Sequence, residues 1–412
     1  MIYDLIVIGA GAGGCFTAIR LAELKQGAKI VVLEAGRKPL SKVEISGGGR
    51  CNVTHACFDP EELINYYPRG GKELLQPFKK FQPKDMVAWF NSKGVKIKKE
   101  VDGRMFPATD SSATIISCFL NAMKRSGIEL LTSTRAESWE KDKTNFFWNI
   151  KLMDGRVLSA KNLLISSGSD QRTWDFLKKA GHTIIDPVPS LFTFNVKDKT
   201  LTELQGISRP MVSLQIPAFN IKSEGPLLIT HWGLSGPAVL KLSAWGAREL
   251  YTCGYTFDLL VNWAAEESVT LKSKIKALCL QQTKKKVHNL SVNDIPSRLW
   301  KYLCAKSGIS EMLNCSEVGK VLLENLINTL TRDNYRIIGK STFKEEFVTA
   351  GGVDIDEVDF RRFESKRIPG LFLVGEVLNI DALTGGFNFQ AAWTGAEMVA
   401  RAVAKSEVHS SQ

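Results

Sequence analysis

Histidine is scarce in this chain, with five among 412 residues, and the eight cysteines stand far apart, at Cys15, Cys51, Cys57, Cys118, Cys253, Cys279, Cys304 and Cys315. None forms a CxxC pair or shares a metal-ligand spacing with a histidine. That argues against a zinc site and a dithiol redox motif, and it reads as reduced thiols of a cytoplasmic protein. No apolar run is long enough to span a bilayer. Asp4 interrupts the apolar N-terminus, and a cleaved leader would remove the glycine motif that begins at Gly9, so no leader is expected. Acidic residues are fewer than basic ones, 43 against 54, for a net charge of +11. The positive field favours anionic ligands. The basic residues fall in short runs such as Lys79-Lys80 and Lys284-Lys285-Lys286, without interleaved stacking aromatics. They read as solvated surface, which argues against a nucleic-acid partner. A small-molecule substrate is expected, with no metal and no membrane; the oligomeric state stays open.

What is present begins at once. Leu5-Ile6-Val7-Ile8 is a continuous apolar run, as in a strand buried on both faces of a parallel sheet. Gly9-Ala10-Gly11-Ala12-Gly13-Gly14 follows, then a helix pattern to about Lys25, a second buried strand at Lys29–Leu33, and Glu34-Ala35. Gly9 permits the tight turn, Gly11 lets the backbone approach a pyrophosphate, and Gly14 lets helix and strand pack closely. The amides of Ala12 and Gly13 face the phosphates at the positive end of the helix. Glu34 accepts from ribose hydroxyls and would repel a 2′-phosphate. Strand, glycines, helix, strand and acid agree on a dinucleotide site.

The continuation distinguishes the nucleotide. Ser46-Gly47-Gly48-Gly49-Arg50-Cys51-Asn52 forms a glycine-rich loop, where a simple nicotinamide enzyme would add another βα unit. Successive glycine amides can cradle an anion, and Arg50 can neutralise a phosphate. Far downstream, a strand ends in Gly375-Glu376, followed by Asp381 and Gly385-Gly386-Phe387-Asn388 at the start of a helix. The acids suit ribityl hydroxyls, and the helix N-terminus suits the flavin edge that gains negative charge on reduction. Asn388 is expected to hydrogen-bond the flavin ring. Between these halves, strands from Glu129 to Leu152 read as a β-meander, with Ala136 offering its backbone to adenine. A buried strand then returns to Ser167-Gly168. FAD, tightly and non-covalently bound, is the expected cofactor.

With these residues assembled, the chain resembles the bacterial aminoacetone-oxidase-like, NAD(P)/FAD-dependent oxidoreductase family, which has a bile-acid dienone reductase among its relatives. The matching segments are Ser46–Asn52, Gly103-Arg104-Met105-Phe106-Pro107, Thr230–Pro237, Thr349–Val353 and Gly375–Asn388. The resemblance implies an α/β fold: a Rossmann-type FAD-binding domain at 1–190 and 340–412, an inserted β-rich domain at 191–270 and a small helical domain at 271–339. One segment departs from the family pattern. Gly168-Ser169-Asp170-Gln171-Arg172-Thr173-Trp174 replaces a glycine- and threonine-rich loop, a change expected to touch the substrate side more than the FAD fold. Ala382-Leu383 likewise stands where the family has Gly-Pro.

Two residues are candidates for catalysis. His231 could donate the proton that carbonyl-conjugated reduction requires, histidine being the side chain suited to proton transfer near neutral pH. Arg104 could bind a substrate carboxylate or carbonyl, or form a structural ion pair. Cys51, without a partner cysteine near it in sequence, reads as packing. No second strand–GxGxxG–helix unit exists in the sequence, so NAD(P)H, if used, docks transiently. Two functions follow. One is an FAD-dependent oxidoreductase relaying hydride from NAD(P)H to a small or steroid-like enone or quinone, or oxidising an amine with oxygen. The other is a non-catalytic FAD-binding protein, redox-sensing or RNA-associated.

Overall fold

The computed structural model describes residues 1–142, 144–341 and 348–405. The chain forms two compact units, Met1–Val188 with Thr349–Gln412, and Pro189–Val348. Residues 342–347 and 406–412, which the expected domain ranges include, lie outside the described residues.

The first unit is built on a parallel sheet. Its central strand Ile2–Ile8 lies between Ile30–Leu33 and Val157–Ile165, with Glu129–Leu131 and Leu371–Leu373 outside them. The interior of the strand, Leu5-Ile6-Val7, is completely buried. A strand covered on both faces has no polar side to alternate with, which explains the unbroken apolar run. The register is the functional datum. Ile8 pairs with Leu33 and Ile165, Leu33 with Leu131, and Ile165 with Leu373. Five strands therefore end level. The residues after them, Gly9, Glu34, Ser166–Gly168 and Gly375-Glu376, leave the sheet along one edge. The meander is Ala136–Lys141, Trp148–Leu152 and Val157–Ile165, paired antiparallel.

Helix Ala12–Leu24 packs on this sheet and against helix Phe387–Lys405. Gly13 makes the approach possible, since a Cβ there would lie 2.7 Å from Val374 and 3.8 Å from Ala392. Phe16 lies edge-on to Trp393 at 5.6 Å between centroids, and Phe119 stacks on Trp393 at 5.5 Å. Such pairs add about 0.5–1.5 kcal/mol each beyond the area they bury. Glu397, fully buried in the last helix, is held by Arg20 and Arg401. A three-stranded antiparallel sheet of Thr54–His55, Arg104–Pro107 and Ile97–Lys99 completes the unit's functional end.

The second unit is a closed six-stranded antiparallel barrel. Its strands run in the order Thr193–Val196, Gly233–Ser235, Ile221–Thr230, Ser208–Ile216, Thr256–Asn262 and Asp333–Ser341. The last strand returns after helices Ser268–Gln281, Ser297–Lys306 and Lys320–Arg332. These helices share one apolar core with the barrel, from Phe192 and Leu259 through Trp300 and Leu326 to Ile337. The β-rich and helical segments, expected as two domains, therefore form one body. Sequence order hid this, because the strand that closes the barrel lies beyond the helices. Among the described residues no helix is long and apolar enough to cross a membrane.

Candidate functional site

The level strand ends create the site. Gly9 has φ +103°, and a Cβ there would lie 2.6 Å from the Ser166 carbonyl oxygen, so only glycine allows the strand Ile2–Ile8 to leave beside the strand Val157–Ile165. A Cβ on Gly14 would meet the Gly9 carbonyl at 2.1 Å. Gly11 is different. Its nearest neighbour would be 3.9 Å away, so the space above it is open. Gly11 is the N-cap of the helix, no side chain caps it, and the first turn carries no acid. The free amides of that turn, including Ala12 and Gly13, are thus left for an anion.

A cavity of about 530 Å³ opens at this edge, lined among others by Gly9, Glu34, Ala35, Ala136, Ser167 and Arg172. Glu34 accepts from Ala10 N at 3.0 Å and Gly36 N at 2.7 Å, which aims its carboxylate and leaves lone pairs for a ribose. The Ser167 hydroxyl is buried without a hydrogen-bond partner. An unpaired hydroxyl beside a cavity calls for a polar ligand atom. The open space at Gly11, the uncapped helix and this hydroxyl together fit the adenosine diphosphate half of a dinucleotide.

The departing segment at Ser169–Trp174 belongs to this end of the site. Asp170 caps the helix Gln171–Lys179 by accepting from Thr173 N at 3.0 Å. Arg172, Asp175 and Phe176 of that helix line the same cavity. The altered segment thus borders the same cavity as Gly9 and Glu34. Trp174 is buried, donating to the Val377 carbonyl at 3.0 Å.

The opposite end is set by Gly375–Asn388. Glu376 is ion-paired with Lys42. Gly168 stands beneath that pair, for a Cβ there would lie 3.8 Å from Lys42 Nζ and 3.9 Å from Glu376 Oε2. Gly385 and Gly386 have φ of +127° and +90°, and a Cβ on Gly386 would lie 2.7 Å from the Thr54 carbonyl. The loop is gripped by its neighbours. Tyr67 Oη donates to the Phe387 carbonyl at 2.6 Å, and Leu383 N donates to the Tyr66 carbonyl at 2.9 Å.

Several expected ligands are engaged otherwise. Asp381 is fully buried and held by Arg69 in a two-point ion pair, so it supports the loop and offers nothing to ribityl hydroxyls. Asn388 spends its amide on its own chain, accepting from Ala382 N at 3.0 Å and donating to Ala382 O at 3.1 Å. Arg50 binds Glu100 at 2.6 Å and Asp110 at 3.6 Å, with its guanidinium 4.0 Å over the Phe106 ring, and is thereby neutralised. Arg104 reaches Asp102 at 2.7 Å and Glu100 at 3.2 Å, the structural ion pair that was the other expectation for it.

The loop around Arg50 has an unusual backbone. Ser46 leaves the helical region, and Gly47, Gly48 and Gly49 follow at φ of +58°, +67° and +81° with Cys51 at +61°. The three glycines are exposed. Asn52 faces inward and accepts from Met105 N at 3.3 Å, fixing the loop rather than contacting a ligand. Burial pushes the Cys51 thiol up to about 12, against a hydrogen bond with Ser46, so it is a packed thiol and a poor nucleophile.

Sequence reasoning missed His55. His55 stacks on Phe387, with centroids 4.6 Å apart and planes at 26°, and Phe387 stacks in turn on Tyr66 at 4.2 Å. His55 Nε2 donates to the Asp102 carbonyl at 3.1 Å, while Nδ1 is buried without a partner. Burial lowers the imidazole pKa, against the Asp102 hydrogen bond, so the ring is neutral. A His four positions after Cys51 in the glycine-rich loop was the available signal. His231 lies in the second unit, exposed in the tight turn after Ile221–Thr230, with its ring edge-on to Trp232 at 4.0 Å. Among the described residues no group of three or more His, Cys, Asp or Glu could hold a metal ion.

Comparison with known proteins adds kinship to this geometry. The pattern of the HI0933-like protein Rossmann domain matches residues 3–402. The ribosomal RNA dihydrouridine synthase of Haemophilus influenzae is 27% identical over 97% of this chain and 98% of its own. The 3-dehydro-bile acid delta(4,6)-reductase of Clostridium scindens is 26% identical over 97% and 98%. Among solved structures, the 3-ketosteroid-delta4-(5alpha)-dehydrogenase of Rhodococcus jostii superposes with a TM-score of 0.53 over 98% of this chain and 97% of that one. At 12% identity, that likeness speaks for the fold alone.

Proposed function

The chain belongs to the HI0933-like Rossmann family of flavoprotein oxidoreductases, and on that premise we propose that it is an FAD-dependent reductase of a carbon–carbon double bond conjugated to a carbonyl. The observation that carries the reading is the level row of strand ends, with Gly9, Glu34 and Ser167 around one cavity and Glu376 on the same edge. When bound, FAD supplies reversible hydride chemistry between a nicotinamide donor and such an acceptor.

The chain's own residues hold and orient. Glu34 accepts from the adenosine ribose, Ser167 satisfies its hydroxyl on the nucleotide, and the first turn of Ala12–Leu24 faces the pyrophosphate. Gly385, Gly386 and the start of Phe387–Lys405 present a positive dipole end to the flavin edge. NAD(P)H, lacking a Rossmann unit of its own, docks transiently. The proton donor's role assigned to His231 from the sequence rests on imidazole chemistry alone.

The names of the two relatives describe one chemistry. Making dihydrouridine and reducing a bile-acid dienone both add two hydrogens across a double bond conjugated to a carbonyl. That favours reduction over the amine oxidation that the aminoacetone-oxidase resemblance also offered. Of the two substrates we place a uracil ring in RNA first, because a chain of net charge +11 gathers a polyanion. This reverses the reading of the basic residues as mere solvated surface. The steroid-like enone is the second reading.

The test is direct. The purified protein should be yellow and release FAD on denaturation. Ribosomal RNA from cells lacking the gene should gain the mass of two hydrogens at one uridine when incubated with the protein and NADPH or NADH. Turnover of a steroid dienone with no change in the RNA would select the second reading. A colourless protein that cannot take up FAD would overturn both.

A further inference from the structure

Two lysine runs look alike in the sequence, and the structure separates them. In Lys79-Lys80, Lys79 is ion-paired with Glu61 at 3.1 Å. In Lys284-Lys285-Lys286, none of the three meets a carboxylate among the described residues. Lys285 Nζ donates to the Gln282 side-chain oxygen at 3.0 Å, and Lys286 Nζ donates to the Met312 carbonyl. Both acceptors are neutral, so the charges stand uncompensated, and Lys284 and Lys285 are exposed. The helix Ser268–Gln281 runs into this turn. Its Lys272 and Lys274 are paired with Glu324 and Glu266, whereas Lys276, also exposed, has no acid beside it among the described residues. The lysines do not sit on a loose loop. Ser316 N donates to the Thr283 carbonyl at 3.0 Å, Cys315 N to that of Lys285 at 2.9 Å, and Val287 N to that of Leu313 at 3.0 Å. Val287 is fully buried, and its carbonyl accepts from Trp300 Nε1 at 2.9 Å. On the facing segment, the Glu317 carboxylate is spent on Asn314 N at 2.7 Å. The result is a basic ridge on a fixed backbone.

We propose that Lys284, Lys285 and Lys286, with Lys276 behind them, bind the phosphate backbone of double-helical RNA. The inference rests on the RNA reading above and adds the surface and the form of RNA it takes. Adjacent uncompensated cations repel one another, and a polyanion relieves that repulsion while releasing its own counterions. The form follows from what the ridge lacks. Single strands are held by aromatic side chains on which bases stack, and residues 276–287 contain no Phe, Tyr or Trp. Lysine ammoniums are point charges suited to phosphates, and an RNA double helix presents its phosphates outward with its bases already stacked. Such contacts position the RNA without reading its sequence.

The experiment measures the salt dependence of RNA binding. A fluorescently labelled RNA duplex of arbitrary sequence is titrated with the full-length protein, following anisotropy, at salt concentrations from about 50 to 200 mM. The proteins are wild type, the triple change Lys284→Gln, Lys285→Gln, Lys286→Gln, the same three positions changed to Arg, and the double change Lys79→Gln, Lys80→Gln. Circular dichroism establishes folding. Each phosphate contact on a double helix contributes about 0.9 to the slope of log K against log salt, so the triple Gln variant should lose about 2 to 3 from the slope and about tenfold or more in affinity at low salt. The Arg variant should bind as wild type, and so should the Lys79, Lys80 variant. A wild-type slope in the triple Gln variant, or the loss falling on the Lys79, Lys80 variant, would overturn the assignment while leaving the RNA reading intact. Wild-type preference for single-stranded polyuridylate over the duplex would overturn the double-helical form. Wild-type protein that binds neither RNA would overturn the RNA reading itself, and the assignment with it.

Discussion

The carboxylate of Asp381, with none of its surface exposed, meets the guanidinium of Arg69 through two parallel hydrogen bonds, Nε to Oδ1 and Nη2 to Oδ2. The two residues are 312 positions apart, and their backbones also form an isolated β-bridge. This pair fastens the loop that leads into Gly385-Gly386 to the segment that follows Tyr66 and Tyr67.

Breaking that pair from one side leaves a buried, unpaired charge, a loss of about 3–5 kcal/mol. Arg69→Ala and Asp381→Ala should each lower the melting temperature by several degrees, while the paired change Arg69→Met with Asp381→Leu should recover a large part of it. Equal losses in the single and double variants, by differential scanning calorimetry, would show that the carboxylate is not stranded by loss of its partner.

Glu34→Ala should weaken FAD retention, because the ribose loses a charged acceptor worth roughly 1.5–3 kcal/mol. The carboxylate also accepts from Ala10 N and Gly36 N. Glu34→Gln, which keeps a single acceptor oxygen, should therefore fall between wild type and Glu34→Ala in Kd. Full flavin content and an unchanged Kd in Glu34→Ala would remove the adenosine assignment.

Cys51 should behave as a buried wall. Its thiol, raised to about 12 by burial, stays protonated at pH 8, so a thiol reagent should leave it unlabelled in the native protein and label it after denaturation. Cys51→Ser should keep FAD and most NAD(P)H turnover. Complete loss of turnover with normal flavin content would make Cys51 a redox centre.

His55 and His231 can be told apart by pH and by half-reaction. The folded pKa of His55 lies below the usual imidazole value of 6.5 because of burial. Its contribution to stability is therefore present above that value and is lost as pH falls below it toward the folded pKa. Melting temperature should drop more steeply between pH 7 and pH 5 in wild type than in His55→Phe, which retains an aromatic ring to stack on Phe387. A parallel pair of profiles would contradict the burial. His231→Gln should instead slow reduction of the acceptor while leaving flavin reduction by NAD(P)H nearly unchanged, as read by stopped-flow absorbance. The opposite pattern would take the proton donor's role from His231.

The sequence by itself determined the parts whose physics is local. An apolar run, glycines at fixed offsets and an acid one strand later can hardly be arranged in more than one way, so the turn at Gly9, the open space at Gly11 and the position of Glu34 were all legible. The alternating residues of the second unit likewise announced strands. Tertiary structure decided everything that depends on which distant charges meet. Arg50, Arg104 and Asp381 carry the right chemistry for a ligand, yet Glu100, Asp102 and Arg69 reach them first. Lys42 and His55 look ordinary in sequence until Glu376 and Phe387, more than 300 residues away, arrive beside them. A side chain's partner is set by the register of the sheet and the packing of helices across it, and neither is written in the spacing of neighbours along the chain. The same holds for the barrel, whose sixth strand, Asp333–Ser341, lies in sequence beyond the helices that share its core.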